Sequence, residues 1–342
     1  MATPKRPYIV PVFIPHAGCP HRCAFCNQTA ITLSAMSLPS VQRIRERIDR
    51  HLAYPRDPDR PVEIAFFGGN FLGLDPPAIG SLLSEAGRYV ETGKVGAIRF
   101  STRPETVTAR RLDRIHGLGV GTIEIGAQSM NDQVLAAAGR GHTADHTRKA
   151  VAHLKQRGYE TGLQMMVGLP GQSPEDAMDT GRQLAALEPD LVRIYPTVVL
   201  RGSRLAHWYA TGRYRPMSLA DSVSLVKSLY TMFCDHGIAV TRMGLQGSEA
   251  FEASGDIVCG PYHPAFGHLV HAERFLDMAV KTLEGHDIQA GAVTLAVNPR
   301  NLSRLRGQNN ANVRQLKERF GIDRLTIKTN PSLPADLVSV VG

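Results

Sequence analysis

Three of the chain's five cysteines stand together in Gly18-Cys19-Pro20-His21-Arg22-Cys23-Ala24-Phe25-Cys26-Asn27-Gln28, with the spacing C-x3-C-x2-C. Thiolate is the natural ligand of iron–sulfur clusters. Three thiolates from one short loop serve three irons of a [4Fe–4S] cube and leave the fourth iron open to a substrate or cofactor. Phe25, directly before the last cysteine, is placed to shield one face of such a cluster. A structural zinc site is the alternative. With no fourth cysteine nearby in sequence, it would have to recruit His16 or His21.

Other residues that could do chemistry lie further along. Gly260-Pro261-Tyr262-His263-Pro264-Ala265-Phe266-Gly267-His268 is a turn-rich loop that opens after Cys259. Its position after the β-α repeats makes Cys259, Tyr262 and His263 candidates to face a substrate, in preference to a second metal site. Cys234 falls on the apolar face of a helical pattern and is expected to be a buried thiol. Met165 and Met166 are expected to pack in the core. Near the C-terminus, Arg304, Arg306 and Arg314 flank Gly307-Gln308-Asn309-Asn310.

These residues need elements to hold them. Short β-branched or apolar runs at 9–14, 62–67, 97–101, 122–125, 162–167 and 191–195 alternate with amphipathic segments at 41–52, 78–89, 109–118, 144–157 and 173–187. The last of these has Ser173 as N-cap, Pro174 at the first helical position and acids in its first turn. The alternation predicts an α/β fold of six β-α units on a parallel sheet. This is a partial (β/α)6 barrel of the TIM type, with its chemistry at the C-terminal strand ends. After Pro216 the pattern changes to a helix at 219–236, a strand-like run at 237–241 and a His-rich loop. Strands at 293–297 and 324–329 then enclose two short helical stretches. The organisation expected is a barrel over 1–217, an extension closing its mouth over 218–285, and a small α+β unit over 286–342.

The cysteine loop resembles the cluster motif of radical S-adenosylmethionine (SAM) enzymes, in which the amino and carboxylate groups of SAM chelate the open iron. Phe66-Phe67-Gly68-Gly69-Asn70 is similar to their Gly-Gly-Glu-like motif, with Asn70 in place of the acid. The resemblance implies that Gly68, Gly69 and Asn70 contact the methionyl amino group. It further implies that Ser101, Gln128, Arg140 and Gln164 contact the carboxylate and ribose. Arg140 suits the carboxylate, because its planar fork matches that group.

Within that superfamily, Val192-Arg193-Ile194-Tyr195-Pro196-Thr197 running on to Leu205, with Trp208–Tyr214 and Thr102-Arg103-Pro104-Glu105, resembles the Elongator catalytic subunit family over residues 8–217. That family adds a carboxymethyl group to the wobble uridine of tRNA through a 5′-deoxyadenosyl radical, with acetyl-CoA as carbon donor. The resemblance implies a cytoplasmic, [4Fe–4S]- and SAM-dependent tRNA-modifying enzyme, fed one electron by a reductant such as flavodoxin or ferredoxin. Two features depart from the family. The gap from Cys19 to Cys23 is shorter than usual, and no acetyltransferase-like domain follows residue 217. A stand-alone, Elongator-like enzyme is therefore expected, with its group donor open. The C-terminal unit resembles a KH-type RNA-binding domain, whose Gly-x-x-Gly loop clamps nucleotide backbone. Here Asn310, a residue tolerant of left-handed backbone, replaces the second glycine. This implies RNA contacts at Arg304, Arg306, Gly307 and Arg314. Two rivals stand beside this reading. One is an enzyme on a small metabolite, like the oxygen-independent coproporphyrinogen oxidases that share the C-x3-C-x2-C loop. The other is a non-catalytic RNA-binding protein with a structural metal.

Size and charge fit these expectations. A chain of 342 residues can bury a large core. Its formal net charge of +8 suits a polyanionic partner. No apolar run is long enough to span a membrane, and the dispersed cysteines are not a disulfide framework.

Overall fold

The computed structural model describes residues 7–14, 16–28, 38–245, 247, 249–286 and 291–341. Nine strands belong to the first part of the chain: β1 (Tyr8–Phe13), β2 (Val62–Phe67), β3 (Ala97–Thr102), β4 (Val120–Gln128), β5 (Glu160–Val167), β6 (Leu191–Pro196), β7 (Val199–Leu200), β8 (Ala239–Met243) and β9 (Ile257–Cys259). Seven form one sheet in the order β1-β2-β3-β4-β5-β6-β8, parallel throughout. The expected partial barrel is therefore present, and the strand-like run expected at 237–241 joins its sheet as a seventh strand. The pattern closes the barrel at residue 217, whereas the sheet continues to Met243. The cause is the helix Leu219–Asp235, which buries Val223, Val226, Leu229 and Phe233 in the same core as Ile194 and Val240. That packing makes it one more βαβ crossover rather than an extension outside the barrel.

The crossover helices begin where capping chemistry starts them. They are α1 (Val41–Leu52), α2 (Pro76–Glu91), α3 (Ala109–Ile115), α4 (Asp132–Ala137), α5 (Ala144–Gln156) and α6 (Pro174–Ala185). Next come α7 (Arg204–Ala210), α8 (Leu219–Asp235), α9 (Glu249–Ala253) and α10 (Phe266–Glu284). Ser173 and Asp176 form the reciprocal box at the start of α6, with Pro174 at the first helical position as expected. Asp176 N donates to Ser173 Oγ at 3.1 Å, and Ser173 N to Asp176 Oδ2 at 2.9 Å. Such a cap stabilises a helix by about 1 kcal/mol.

The strands alternate in a telling way. Residues turned toward the helices, such as Ile64, Phe66, Phe100, Ile123 and Met165, are fully buried. Each such side chain contributes about 1.5–3 kcal/mol of burial. The intervening residues Glu63, Arg99, Ser101, Glu124, Gln164 and Arg193 are polar, so the inner face of the barrel is not an apolar plug. Met165 and Met166 are buried as expected. Cys234 is not: it is exposed, because Phe233 takes the core-facing position of α8.

The last part of the chain forms β10 (Ala292–Val297), α11 (Leu302–Arg306), α12 (Ala311–Phe320), β11 (Arg324–Thr329) and β12 (Val338–Val341). The strand order is β11-β10-β12; β10 pairs parallel with β11 and antiparallel with β12. Helix α10 joins the two parts. Phe266 and Val270 lie in the barrel core, while Phe275, Ala279 and Leu283 pack with Val293, Leu295, Leu305 and Leu316 in a second core. The second core therefore draws on residues before 286, where the sequence pattern sets its boundary.

Candidate active site at the cysteine loop

The cysteine loop follows β1 and is fastened on three sides. Toward β2, Gly69 N donates to Gln28 Oε1 at 2.7 Å and Asn70 N to Ala17 O at 2.7 Å. Toward α4, Ala24 N donates to Ala138 O at 2.8 Å, and toward α7, Leu205 N donates to Ala24 O at 2.8 Å. Two glycines make the close approach feasible. A Cβ on Gly18 would lie 2.3 Å from Asn70 O, and one on Gly69 would lie 2.4 Å from Ala17 O. Both glycines also have positive φ, +70° and +60°, which favours glycine over any residue with a side chain.

Asn70, the residue standing where relatives carry an acid, is fully buried and spent on the protein itself. Its Oδ1 accepts from Thr102 Oγ1 (2.7 Å), Thr106 Oγ1 (2.8 Å) and Arg103 N (2.9 Å), and its Nδ2 donates to Gly18 O (2.9 Å). The side chain thus ties the cysteine loop to the ends of β2 and β3, and only the backbone of the Gly68-Gly69-Asn70 turn remains for a ligand.

Two guanidinium groups converge on one cysteine. Arg140 Nη1 lies 3.2 Å from Cys23 Sγ, and Arg103 Nη1 lies 3.5 Å from it. Both arginines are buried. Arg140 also donates to Gly126 O, and Arg103 donates to Glu105 Oε1 and Arg140 O. Behind them His142 Nε2 bonds Ala127 O at 3.1 Å, while its Nδ1 faces Glu105 Oε2 at 3.6 Å. Neither of these facing atoms has a hydrogen-bond partner. Burial, and then the positive charges of Arg140 and Arg103, hold His142 down to a pKa of about 2. The imidazole is therefore neutral.

Desolvation dominates the thiols. It pushes Cys19 up to about 11 and Cys26 up to about 12, with repulsion from neighbouring cysteine sulfurs adding to the rise and the arginines opposing it. A metal centre that takes all three as thiolates resolves that conflict. No three His, Cys, Asp or Glu side chains among the described residues surround a single metal position. His16, the zinc alternative's fourth ligand, has its Nε2 accepting from Gln28 N at 3.0 Å. His21 lies so close to Gly141 that a Cβ there would sit 2.4 Å from its ring.

The remaining strand-end residues divide into two groups. Gln128 closes β4 at a register shift, with φ +67°, a left-handed conformation uncommon for glutamine. It is 8% exposed, and its Oε1 has no partner. A strained, buried, unsatisfied carbonyl at a strand end marks a place where a ligand hydroxyl or amine can donate. Ser101 and Gln164 instead bond each other: Gln164 Nε2 donates to Ser101 Oγ at 3.1 Å and to Glu124 Oε2 at 2.8 Å. Glu124 was not among the residues singled out by sequence. It is fully buried and also accepts from Arg193 Nη2 (2.6 Å) and Arg99 Nη1 (3.2 Å). Its signal was a lone acid between Ile123 and Ile125 in a strand otherwise apolar on its helix side.

The later candidates do not gather at one point. Cys259 and Phe25 both pack against the cluster of Val199, Leu205 and Tyr214, which brings Cys259 close to the cysteine loop. Tyr262 donates to Glu252 Oε1 at 2.9 Å and meets Phe251 edge-on. His263 Nδ1 accepts from Ala265 N at 3.0 Å, and its Nε2 is 3.5 Å from Gln308 Nε2. The C-terminal turn thus abuts the His263 loop. In that turn Gly307, Asn309 and Asn310 all have positive φ. Arg304 donates to Asn301 Oδ1 (2.7 Å) and Arg314 to Asn309 O (2.5 Å).

The comparisons with known proteins bear on this geometry. Residues 13–184 match the model of the radical SAM superfamily, and residues 189–275 match a radical SAM C-terminal domain. An uncharacterized protein of Methanocaldococcus jannaschii is 27% identical over 219 residues, covering 61% of this chain and 67% of its own. A tRNA uridine(34) acetyltransferase of Dehalococcoides mccartyi is 26% identical over 246 residues, covering 62% of this chain and 53% of its own. The chain thus spans about half the length of that enzyme. Archaeal Elp3 of Methanocaldococcus infernus shares the fold with a TM-score of 0.64 at 20% identity, over 86% of this chain and 71% of its own. A seven-stranded parallel partial barrel, a three-cysteine loop at the end of its first strand and a family match over half the residues place this chain in the radical SAM superfamily, as a [4Fe–4S]- and SAM-dependent enzyme.

Proposed function

We propose that this radical SAM enzyme modifies tRNA at a uridine of the wobble type, and that the residues around the cysteine loop hold SAM for that purpose. The observation that carries the chemistry is the convergence of Arg103 and Arg140 on Cys23 beside the unsatisfied Oε1 of Gln128. The observation that carries the substrate class is the likeness, over 246 residues, to a protein named for tRNA uridine(34).

In this reading Cys19, Cys23 and Cys26 ligate the cluster. When bound, the cluster and SAM would supply one-electron, hydrogen-abstracting chemistry. The chain's own residues position and exclude. The backbone of Gly68, Gly69 and Asn70 meets the methionyl amino group, and Arg140 turns one N–H to the carboxylate. Gln128 Oε1 accepts from a ribose hydroxyl. Ser101 and Gln164, the latter held by Glu124, line the inner face of the barrel beside it. Cys259 stands nearest the loop among the three substrate-side candidates, while Tyr262 and His263 belong to the surface that leads to it. Arg304, Arg306, Gly307 and Arg314 border that surface and supply phosphate contacts. The enzyme works in the cytoplasm with a reduced flavodoxin or ferredoxin. No helix among the described residues is long and apolar enough to cross a membrane.

The test is SAM cleavage by the anaerobically reconstituted protein with and without bulk tRNA, followed by nucleoside analysis of the recovered RNA. The reading expects 5′-deoxyadenosine formation to rise with tRNA and a new uridine derivative to appear. Cleavage indifferent to RNA, with no change in nucleoside content, moves the substrate to a small metabolite.

A further inference from the structure

The inner face of the barrel has an aromatic side and a polar side. Phe13 and Phe67 follow Val12 and Phe66, which lie in the helix-side core, so both rings turn inward. They stand 6.4 Å apart, tilted by 41°, and both are half-buried. Arg193 on β6 reaches across the interior and places its guanidinium 5.0 Å from the centre of the Phe67 ring on β2. The polar side is Ser101 and Gln164, which meet across β4 at Gly126, the register partner of Gln164. A Cβ on Gly126 would lie 2.8 Å from Gln128 Nε2. The pair therefore neighbours the residue assigned above to the ribose.

The hydrogen bonds of this pair fix which of its atoms are left over. Glu124 already receives Arg99 and Arg193 and can only accept, so Gln164 must turn its Nε2 to it, at 2.8 Å. The second hydrogen of that Nε2 goes to Ser101 Oγ at 3.1 Å. Gln164 Oε1 thus faces away from Glu124, and Ser101 keeps its hydroxyl hydrogen. Neither has a partner among the described residues, and both residues are half-buried rather than sealed. An oriented acceptor and an oriented donor stand side by side.

We propose that Ser101 and Gln164 read the imide edge of a uracil ring packed against Phe67, and so determine which base is presented to the cluster site. The inference rests on the tRNA uridine reading above. In uracil N3–H donates to Gln164 Oε1, and a flanking carbonyl accepts from Ser101 Oγ. Two observations favour a neutral flat ring over an anion or a sugar. Glu63 and Glu124 pair with Arg99, and Glu124 with Arg193, so the charges around the pair compensate one another. The aromatic side of the interior offers packing area that a base fills and a sugar does not. Cytosine presents a donor beside an acceptor in the same order only when it slides by one ring atom, which displaces its C5. Discrimination therefore falls on turnover more than on binding.

The experiment uses reconstituted holoprotein with SAM and an anticodon stem-loop RNA that carries uridine, 3-methyluridine or cytidine at its wobble position. The readout is 5′-deoxyadenosine at saturating RNA. Uridine RNA is expected to stimulate cleavage. The 3-methyluridine RNA, which has lost N3–H, and the cytidine RNA are each expected to be slower by about tenfold or more, the effect of one hydrogen bond. Ser101→Ala is expected to slow turnover on uridine RNA by a similar factor and to retain its SAM affinity in equilibrium dialysis, while Ser101→Thr, which keeps the hydroxyl, recovers the rate. Equal turnover on uridine and 3-methyluridine RNA overturns the imide contact. So does a Ser101→Ala protein that loses SAM affinity, which assigns the pair to the cofactor. Wild type that cleaves SAM but is stimulated by none of the three RNAs overturns the tRNA reading and the base assignment with it, and is thereby told apart from failure of the base contact alone.

Discussion

Arg140 aims its Nη1 at Cys23 Sγ across 3.2 Å from a position 5% exposed to solvent. A buried cation donating to a metal-binding thiolate stabilises the more negative state of whatever that thiolate holds. Arg103 does the same at 3.5 Å, anchored by Glu105. One cysteine of three thus receives both guanidinium hydrogen bonds.

The first prediction concerns that pair. Arg103→Gln is expected to lower the midpoint potential of the reconstituted cluster without SAM present, read by an EPR-monitored redox titration. A one-electron couple moves by about 60 mV for each 1.4 kcal/mol of lost differential stabilisation. A charge-assisted hydrogen bond contributes about 1.5–3 kcal/mol, which bounds the shift at about 65–130 mV. Arg103→Lys should recover part of it. An unchanged potential would show that the guanidinium does not sense the cluster's charge.

Asn70 makes a second case. Its Oδ1 satisfies three buried donors, and its Nδ2 holds the loop through Gly18 O. Asn70→Ala takes their shared partner from Arg103 N and Gly18 O, while Thr106 Oγ1 keeps Arg103 O at 2.7 Å and Thr102 Oγ1 keeps Thr106 Oγ1 at 3.0 Å, so a loss of about 2–3 kcal/mol is expected. Thermal unfolding of the metal-free protein measures it. Iron content per chain after reconstitution should fall in parallel, because the loop loses the side-chain tie from Asn70 Nδ2 to Gly18 O.

Glu124 is the third. It is fully buried and receives Arg99, Arg193 and Gln164. Removing one member of a buried ionic network costs about 3–5 kcal/mol, since the charges left behind are uncompensated. Glu124→Leu is therefore expected to be severely destabilised. Glu124→Leu/Arg193→Met should be more stable than the sum of its single variants predicts, by denaturant titration. Additive losses would mean that the network does not act as a unit.

His142 sets a dependence on pH. Its folded pKa is depressed to about 2 by burial first, and by Arg140 and Arg103 after it. The unfolded chain takes up a proton below about pH 6.5 that the folded state refuses. Stability contributed by this group is thus fully present above that value and falls as the pH drops toward 2. Between pH 7.5 and pH 5 the loss amounts to about 2 kcal/mol. His142→Phe is expected to lower the urea midpoint less than wild type does over that interval. Equal slopes would place the titration elsewhere.

Much of this was readable before the fold was known, for physical reasons. The cysteine loop declares itself because ligand type and spacing are local. The β-α alternation declares itself because buried parallel strands are apolar runs set between amphipathic helices. The strand-like run at 237–241 was legible but its place in the barrel was not, because Ala239–Met243 is a short, half-exposed edge positioned by where α8 packs, and that is tertiary information. Cys234 was misplaced for a similar reason. Phe233 and Cys234 are neighbours on one helix, and only the packed core decides which faces inward. The grip of Arg103 on Cys23 spans 80 positions in sequence, and no periodicity announces it. Glu124 did leave a trace, as an acid where a strand pattern expects none.

The central claim is that the three cysteines of one loop carry a cluster at which this chain cleaves SAM. The most direct measurement is chromatographic detection of 5′-deoxyadenosine from SAM after anaerobic reconstitution and dithionite reduction, set beside Cys23→Ala. Product from the wild type, and none from a Cys23→Ala protein that is still folded, is the predicted result. Equal product from both, or none from wild type that has taken up its iron, would contradict it.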